Sequence, residues 1–129
     1  MGTRSTINIK REDGTYESKY CHFDGYLEHN GYILQYFYNN EDIINKLISH
    51  KCYISALGKT IDTTRYGNDE EKNEICNSLG NIRTEAFDYV WGNGEWNLLN
   101  EAGTKLTPLK ELINVEDAMS ELGIFEIEE

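Results

Sequence analysis

Hydrophobic and polar residues alternate along the first stretch of the chain. Ile7 and Ile9 stand among Thr6, Asn8 and Lys10, and Tyr16 to His22 alternates again after Asp13-Gly14. A period of two marks strands, and Asp-Gly suits a two-residue hairpin turn with positive φ. Such a turn sets Ile9 opposite Ser18, Ile7 opposite Tyr20, Ser5 opposite His22 and Lys10 opposite Glu17. One face then carries Ile7, Ile9, Tyr16 and Tyr20, with Ser5 and His22 at its far end. The other face, Asn8, Lys10, Glu17 and Lys19, reads as solvated. Asp24 shares the parity of His22, so the two are expected to converge on one pocket, with Arg4 and Thr6 turned to the opposite face.

The period then lengthens. Asp24 to Gly31 reads as a loop broken by Gly25 and Asn30-Gly31. Ile33, Leu34, Phe37 and Tyr38 fall at helical spacing. Asn39 or Asn40 can cap a second helix whose stripe is Ile43, Ile44, Leu47 and Ile48, with Glu41 and Asp42 in its first turn. Cys52 to Leu57 is a short buried segment, and the β-branched run Thr60 to Thr64 suggests a strand. Arg65 to Arg83 is polar throughout; Ile75 and Leu79 support at most one short helix, and the stretch reads as a mobile insertion. Phe87, Tyr89 and Trp91 alternate with Asp88 and Val90, Gly92-Asn93-Gly94-Glu95 turns the chain, and Trp96 to Leu99 returns it as a second hairpin. Pro108 opens a short helix with Leu109, Leu112 and Ile113. Val115 to Leu122 forms another, stopped by Gly123, and Ile124 to Ile127 adds a final edge strand. The expected fold is a single α+β domain over residues 1–129: an antiparallel sheet built from two hairpins, with helices packed on one face.

Composition narrows the function. The chain of 129 residues has a net charge of −11. Met1 to Gly67 holds eight basic and eight acidic residues, so the whole imbalance lies from Asn68 onward. An acidic half repels nucleic-acid phosphate and can instead meet a basic protein groove, with Glu70, Glu71 and Glu74 as its densest cluster. No leader-like or membrane-length apolar run occurs, and three widely spaced cysteines suggest free thiols in a reducing cytoplasm. Nine Tyr suit a partner or ligand face as well as a core edge. A homo-oligomer is left open.

The densest chemistry lies in Tyr20-Cys21-His22-Phe23-Asp24-Gly25-Tyr26. Arg4, Ser5 and Thr6 supply a guanidinium fork and hydroxyls suited to phosphate oxygens, His22 can be tuned by Asp24, and Tyr26 or Trp91 can stack a base. Against this, Arg4 can simply pin the N-terminus by pairing with Asp24 or Glu28. Ser5, His22 and Asp24 also resemble the parts of a nucleophilic set, but no nucleophile elbow surrounds Ser5. Cys21, His22, His29, His50 and Cys52 lack metal-ligand spacing, so neither a metal nor a cofactor is expected.

Met1 to Ile7 (Met-Gly-Thr-Arg-Ser-Thr-Ile) and Tyr20 to Tyr26, with Phe23 where the family has Trp, resemble a family of small phage and prophage proteins. Gly31, Tyr38-Asn39 and Ser55-Ala56-Leu57-Gly58 are similar more loosely. The resemblance covers roughly the first 60 residues. It implies a phage accessory protein acting in the bacterial cytoplasm, of a size often used against host defence. The first expectation is an inhibitor that blocks a basic effector or nuclease surface. A second is sequestration of a nucleotide signal of host immunity, and a third is a small phosphate-ester-processing enzyme.

Overall fold

The computed structural model describes residues 3–82 and 85–123. Its centre is one sheet. Strands β1 (Ser5–Lys10), β2 (Tyr16–Phe23), β3 (Cys52–Ala56), β4 (Arg65–Glu70), β6 (Phe87–Gly92), β7 (Glu95–Leu99) and β8 (Leu106–Pro108) lie in the order β4-β3-β2-β1-β6-β7-β8, and β5 (Glu74–Cys76) pairs with the first half of β2. Both expected hairpins form. They join through β1 and β6, which run parallel, and β2 and β3 are parallel as well. The sheet is therefore mixed rather than antiparallel: helical chain between β2 and β3, and β3 to β5 between β2 and β6, return the strands in the same direction.

The first hairpin corrects the expected register. Arg11 N–H donates to the Thr15 carbonyl (2.7 Å) and Gly14 takes φ +88°, so the loop is three residues long with Gly14 in the left-handed bulge position. Ser5 faces Cys21, Ile7 faces Lys19, Ile9 faces Glu17 and Lys10 faces Tyr16. That one-residue slip exchanges the faces of β2. Cys21 joins Ile7 and Ile9 in the core, whereas His22 and Tyr20 share a face with Thr6 and Asn8. Two residues expected to be solvated are not: Asn8 is buried, and so is Lys19, which the slip moves to the face of Ile7. Lys19 Nζ is satisfied by the His50 carbonyl (2.6 Å) and Asn73 Oδ1 (3.2 Å). Glu17 pairs with Arg11 (2.6 Å) rather than Lys10 and accepts from Asn73 Nδ2 (2.7 Å).

Helices cover the Ile7–Ile9 face. Within the loop expected at Asp24–Gly31, Leu27–Gly31 is instead a π-helical turn running directly into α1 (Tyr32–Phe37). Asn40 caps α2 (Glu41–Ile48), its Oδ1 accepting from Ile43 N–H (3.0 Å). Pro108 precedes α3 (Leu109–Leu112), and α4 (Val115–Leu122) is capped by Asn114 and ends at Gly123 with φ +74°. Leu34, Ile44, Leu47, Ile48, Leu109 and Ala118 pack on Ile7, Ile9, Cys21, Ile54 and Tyr89 as one core. The opposite face is partly covered too. Cys76, Ile82, Val90 and Leu99 form a second, smaller cluster there.

Two further expectations are corrected. Thr60 to Thr64 is a turn held by its own hydroxyls, including Thr64 Oγ1 to the Thr60 carbonyl (2.9 Å), and not a strand. Arg65 onward, expected to hold at most one short helix, supplies β4 and β5 to the sheet and a 3₁₀ turn, Leu79–Asn81. The strand expected at Ile124 to Ile127 lies outside the described residues.

Candidate functional site

The seven-residue window around His22 closes β2. Asp24 takes a left-handed φ of 59°, which ends strand alternation. Gly25 follows, donating N–H to the Thr3 carbonyl (2.8 Å) and accepting from Tyr89 Oη (2.6 Å). A Cβ at Gly25 would lie 2.7 Å from Ser5 Cβ and 2.8 Å from the Thr3 carbonyl oxygen, so only glycine lets these two segments approach. Asn30, buried in the π-helical turn, reaches back with Nδ2 to Ser5 Oγ (3.4 Å) and Cys21 Sγ (3.3 Å). Burial pushes the Cys21 thiol up to about 11 and drives the Tyr89 phenol far upward. These groups are neutral fastenings.

The expected ligand residues therefore separate. Ser5 and Thr6 are fully buried, Ser5 beside Asn30 and Thr6 donating to Asp88 Oδ1 (2.7 Å). Trp91 is in the core against Trp96 (5.5 Å), four residues along β1 from Ser5 in the parallel register, or about 13 Å at strand rise. Arg4 and Tyr26 are exposed and Asp24 is half-buried; Arg4 forms no ion pair with Asp24 or Glu28 among the described residues. His22 does not meet Asp24. Its Nδ1 bonds Tyr20 Oη (2.8 Å), and its ring contacts Phe23 (4.4 Å) and Tyr53 (6.5 Å). This corner keeps a cation, an imidazole and rings but has lost the hydroxyls that would cradle phosphate. The other candidate ligands are also occupied: His29 Nδ1 bonds Asn30 Oδ1 (2.8 Å), and His50 stacks on Tyr66 (3.7 Å). Among the described residues no three His, Cys, Asp or Glu side chains converge as a metal site would require.

The expected partner residues come together at the turn between β4 and β5. Glu70 and Glu74 are exposed, Glu71 is half-buried, and Lys51 lies 3.5 Å from Glu70. A second acidic surface was not foreseen from the sequence. The π-helical turn and α1 face the start of α4 across a groove of about 630 Å³, whose walls include Leu27, Glu28, Tyr32, Leu112, Glu116 and Asp117. Tyr32 Oη donates to Asp117 Oδ2 (2.6 Å), and that bond with burial holds the phenol up at about 12. Glu28 and Asp117 are far apart in sequence, so no local pattern could have joined them. Sequence reasoning also missed the buried polar row of Thr6, Asn8 and Asp88, because the parallel pairing of β1 with β6 creates it.

No protein-family model matches the chain, and no curated protein or solved structure was found that matches it. No helix among the described residues is long and apolar enough to cross a membrane.

Proposed function

We propose that this protein is a binding module that acts by covering a basic protein surface, in the setting of a phage accessory protein that blocks a host defence effector or nuclease. One observation carries the reading: the acidic residues from Asp69 onward stand mostly exposed, at Asp69, Glu70, Glu74, Glu101, Glu111, Glu116, Asp117 and Glu121. Charges displayed this way accelerate encounter with a basic partner and suppress binding to nucleic acid. The resemblance of the first 60 residues to small phage proteins supplies the biological setting.

The nucleotide-sequestering alternative keeps Arg4, His22 and Tyr26 at one end of the sheet, with Asp24 beside them in sequence. It is the weaker reading because Ser5, Thr6 and Trp91 are committed elsewhere. The phosphate-ester enzyme is weaker still, since Ser5 is buried and His22 turns to Tyr20.

The test is capture from bacterial lysate at low and high salt, with protein and small-molecule mass spectrometry. A basic protein partner released as ionic strength rises above about 0.3 M, and lost on reversing Glu70, Glu71 and Glu74 to Lys or on reversing Glu111 and Glu116, supports the proposal. A nucleotide that co-purifies and disappears with Arg4→Ala or His22→Ala would replace it with the alternative.

A further inference from the structure

The carboxylates of this surface are not equivalent. Glu17, Glu70 and Glu95 each have a cation of their own, Arg11 (2.6 Å), Lys51 (3.5 Å) and Lys110 (3.2 Å). Across the groove between the π-helical turn and α4 the pattern differs. Glu28 and Glu116 have no ion-pair partner among the described residues, and Asp117 has only the neutral Tyr32 hydroxyl. Leu27 and Leu112 add apolar surface to the same groove. Leu112 is 42% exposed, and Val115, between the wall residues Asn114 and Glu116 in sequence, is 59% exposed; among the described large aliphatics Ile75, beside Glu74, is more exposed still (61%).

Two uncovered aliphatic side chains flanked by carboxylates without counterions define one complementary occupant. We infer that this groove, rather than the β4–β5 turn, is the docking surface for a basic amphipathic segment of a partner protein, whose Lys or Arg side chains meet Glu28, Glu116 and Asp117 while an aliphatic side chain covers Leu112 and Val115. The inference rests on the acidic-surface reading above and gives it an address. Charge selects against the occupants closest at hand. Residues 124–129 carry three glutamates, Glu126, Glu128 and Glu129, and a second copy of the chain brings the same acidic surface. A basic partner segment gains both the unpaired carboxylates and the apolar area.

The experiment uses the whole chain and a fluorescein-labelled Lys/Leu amphipathic peptide, with a Lys/Ser peptide of equal charge as control. Binding is read by anisotropy and by amide shifts in labelled protein. The Lys/Leu peptide is expected to bind saturably, shifting residues 27–32 and 112–117, and the Lys/Ser peptide to bind at least about tenfold more weakly. Leu112→Ser with Val115→Ser, and separately Glu28→Lys with Glu116→Lys, should each weaken binding at least about tenfold, while Glu70→Lys with Glu74→Lys changes it less than about twofold. Circular dichroism of each variant separates lost binding from lost fold, and Val115→Ser alone, at the more exposed of the two aliphatic positions, provides a variant that keeps the fold. Equal binding of the two peptides, shifts elsewhere, absence of binding, or indifference to the groove variants overturns the groove. If the Glu70 and Glu74 reversals alone abolish binding, the groove fails and the acidic-surface reading survives. If no charge reversal matters, both fail.

Discussion

Single side chains in this protein are tied down by burial more than by charge. Cys21, Cys52 and Cys76 are all buried and in no disulfide, and the Cys21 thiol is held up at about 11 by desolvation. A thiol-reactive chromogenic reagent at mildly alkaline pH should therefore titrate little in the native protein and all three cysteines in denaturant. Glu17 is a counter-case. Burial opposes its ionisation, but hydrogen bonds from Asn73 and Arg11 prevail and hold its carboxyl below the ordinary 4.5. A depressed carboxyl stabilises the fold above its ordinary value, and that contribution disappears as pH falls through the depressed one. Stability should thus decline from pH 4.5 downward, and Glu17→Gln should make the decline shallower in acid denaturation curves. Packing sets a third limit. A Cβ on Gly67 would run into the Tyr53 ring at Cζ, so Gly67→Ala must displace that ring from the cluster around His22. A cost of about 1–3 kcal/mol in chemical denaturation is expected.

Elements were readable where their signals are local. Helix α2 followed from its apolar stripe and its asparagine cap, and the structure selects Asn40 over Asn39 for the cap. Asn40→Ala should cost about 1 kcal/mol and Asn39→Ala much less, measured by urea unfolding. Helix α4 and the Asn93-Gly94 turn were equally plain, the latter because both residues take positive φ, 56° and 80°. The first hairpin was legible as a hairpin but not in register. Asp13-Gly14 fits a two-residue turn and a three-residue bulged loop alike, and nothing local decides between them; the choice turns His22 away from the core face. Strands β4 and β5 escaped notice for another reason. They lie at the sheet's margin with few apolar residues, and their pairing is supplied by β3 and β2 rather than by their own pattern. The candidate site suffered from both effects: its residue types were visible, but burial of Ser5 and Thr6 depends on contacts from Asn30 and Asp88, remote in sequence, while Trp91 is covered by Trp96 across its own hairpin.

At the scale of the molecule, two hairpins and a set of helices are made into one body by the contact of β1 with β6. Thr6 Oγ1 to Asp88 Oδ1 is a buried bond across that seam, and Asn8 Nδ2 adds a second at the Tyr89 carbonyl (2.8 Å). Thr6→Val leaves the Asp88 carboxylate short of a donor and should cost about 2 kcal/mol, with unfolding still a single transition by fluorescence and circular dichroism. The net charge of −11 acts on the whole fold as well. Self-repulsion among its carboxylates should be screened by salt, so raising ionic strength from about 0.02 to 0.5 M is expected to increase Tm by a few degrees.

The parallel seam also sets a timetable. Thr6 and Asp88 are 82 positions apart, so at translation rates of about 5–20 residues per second β1 leaves the ribosome several seconds before its neighbour exists. Even after β3 and β5 have covered the edge of β2, the edge of β1 stays raw, with Ile7 and Ile9 lacking the ring of Tyr89 that later shelters them. The nascent chain is then most open to misassociation, and its maturation awaits the arrival of β6.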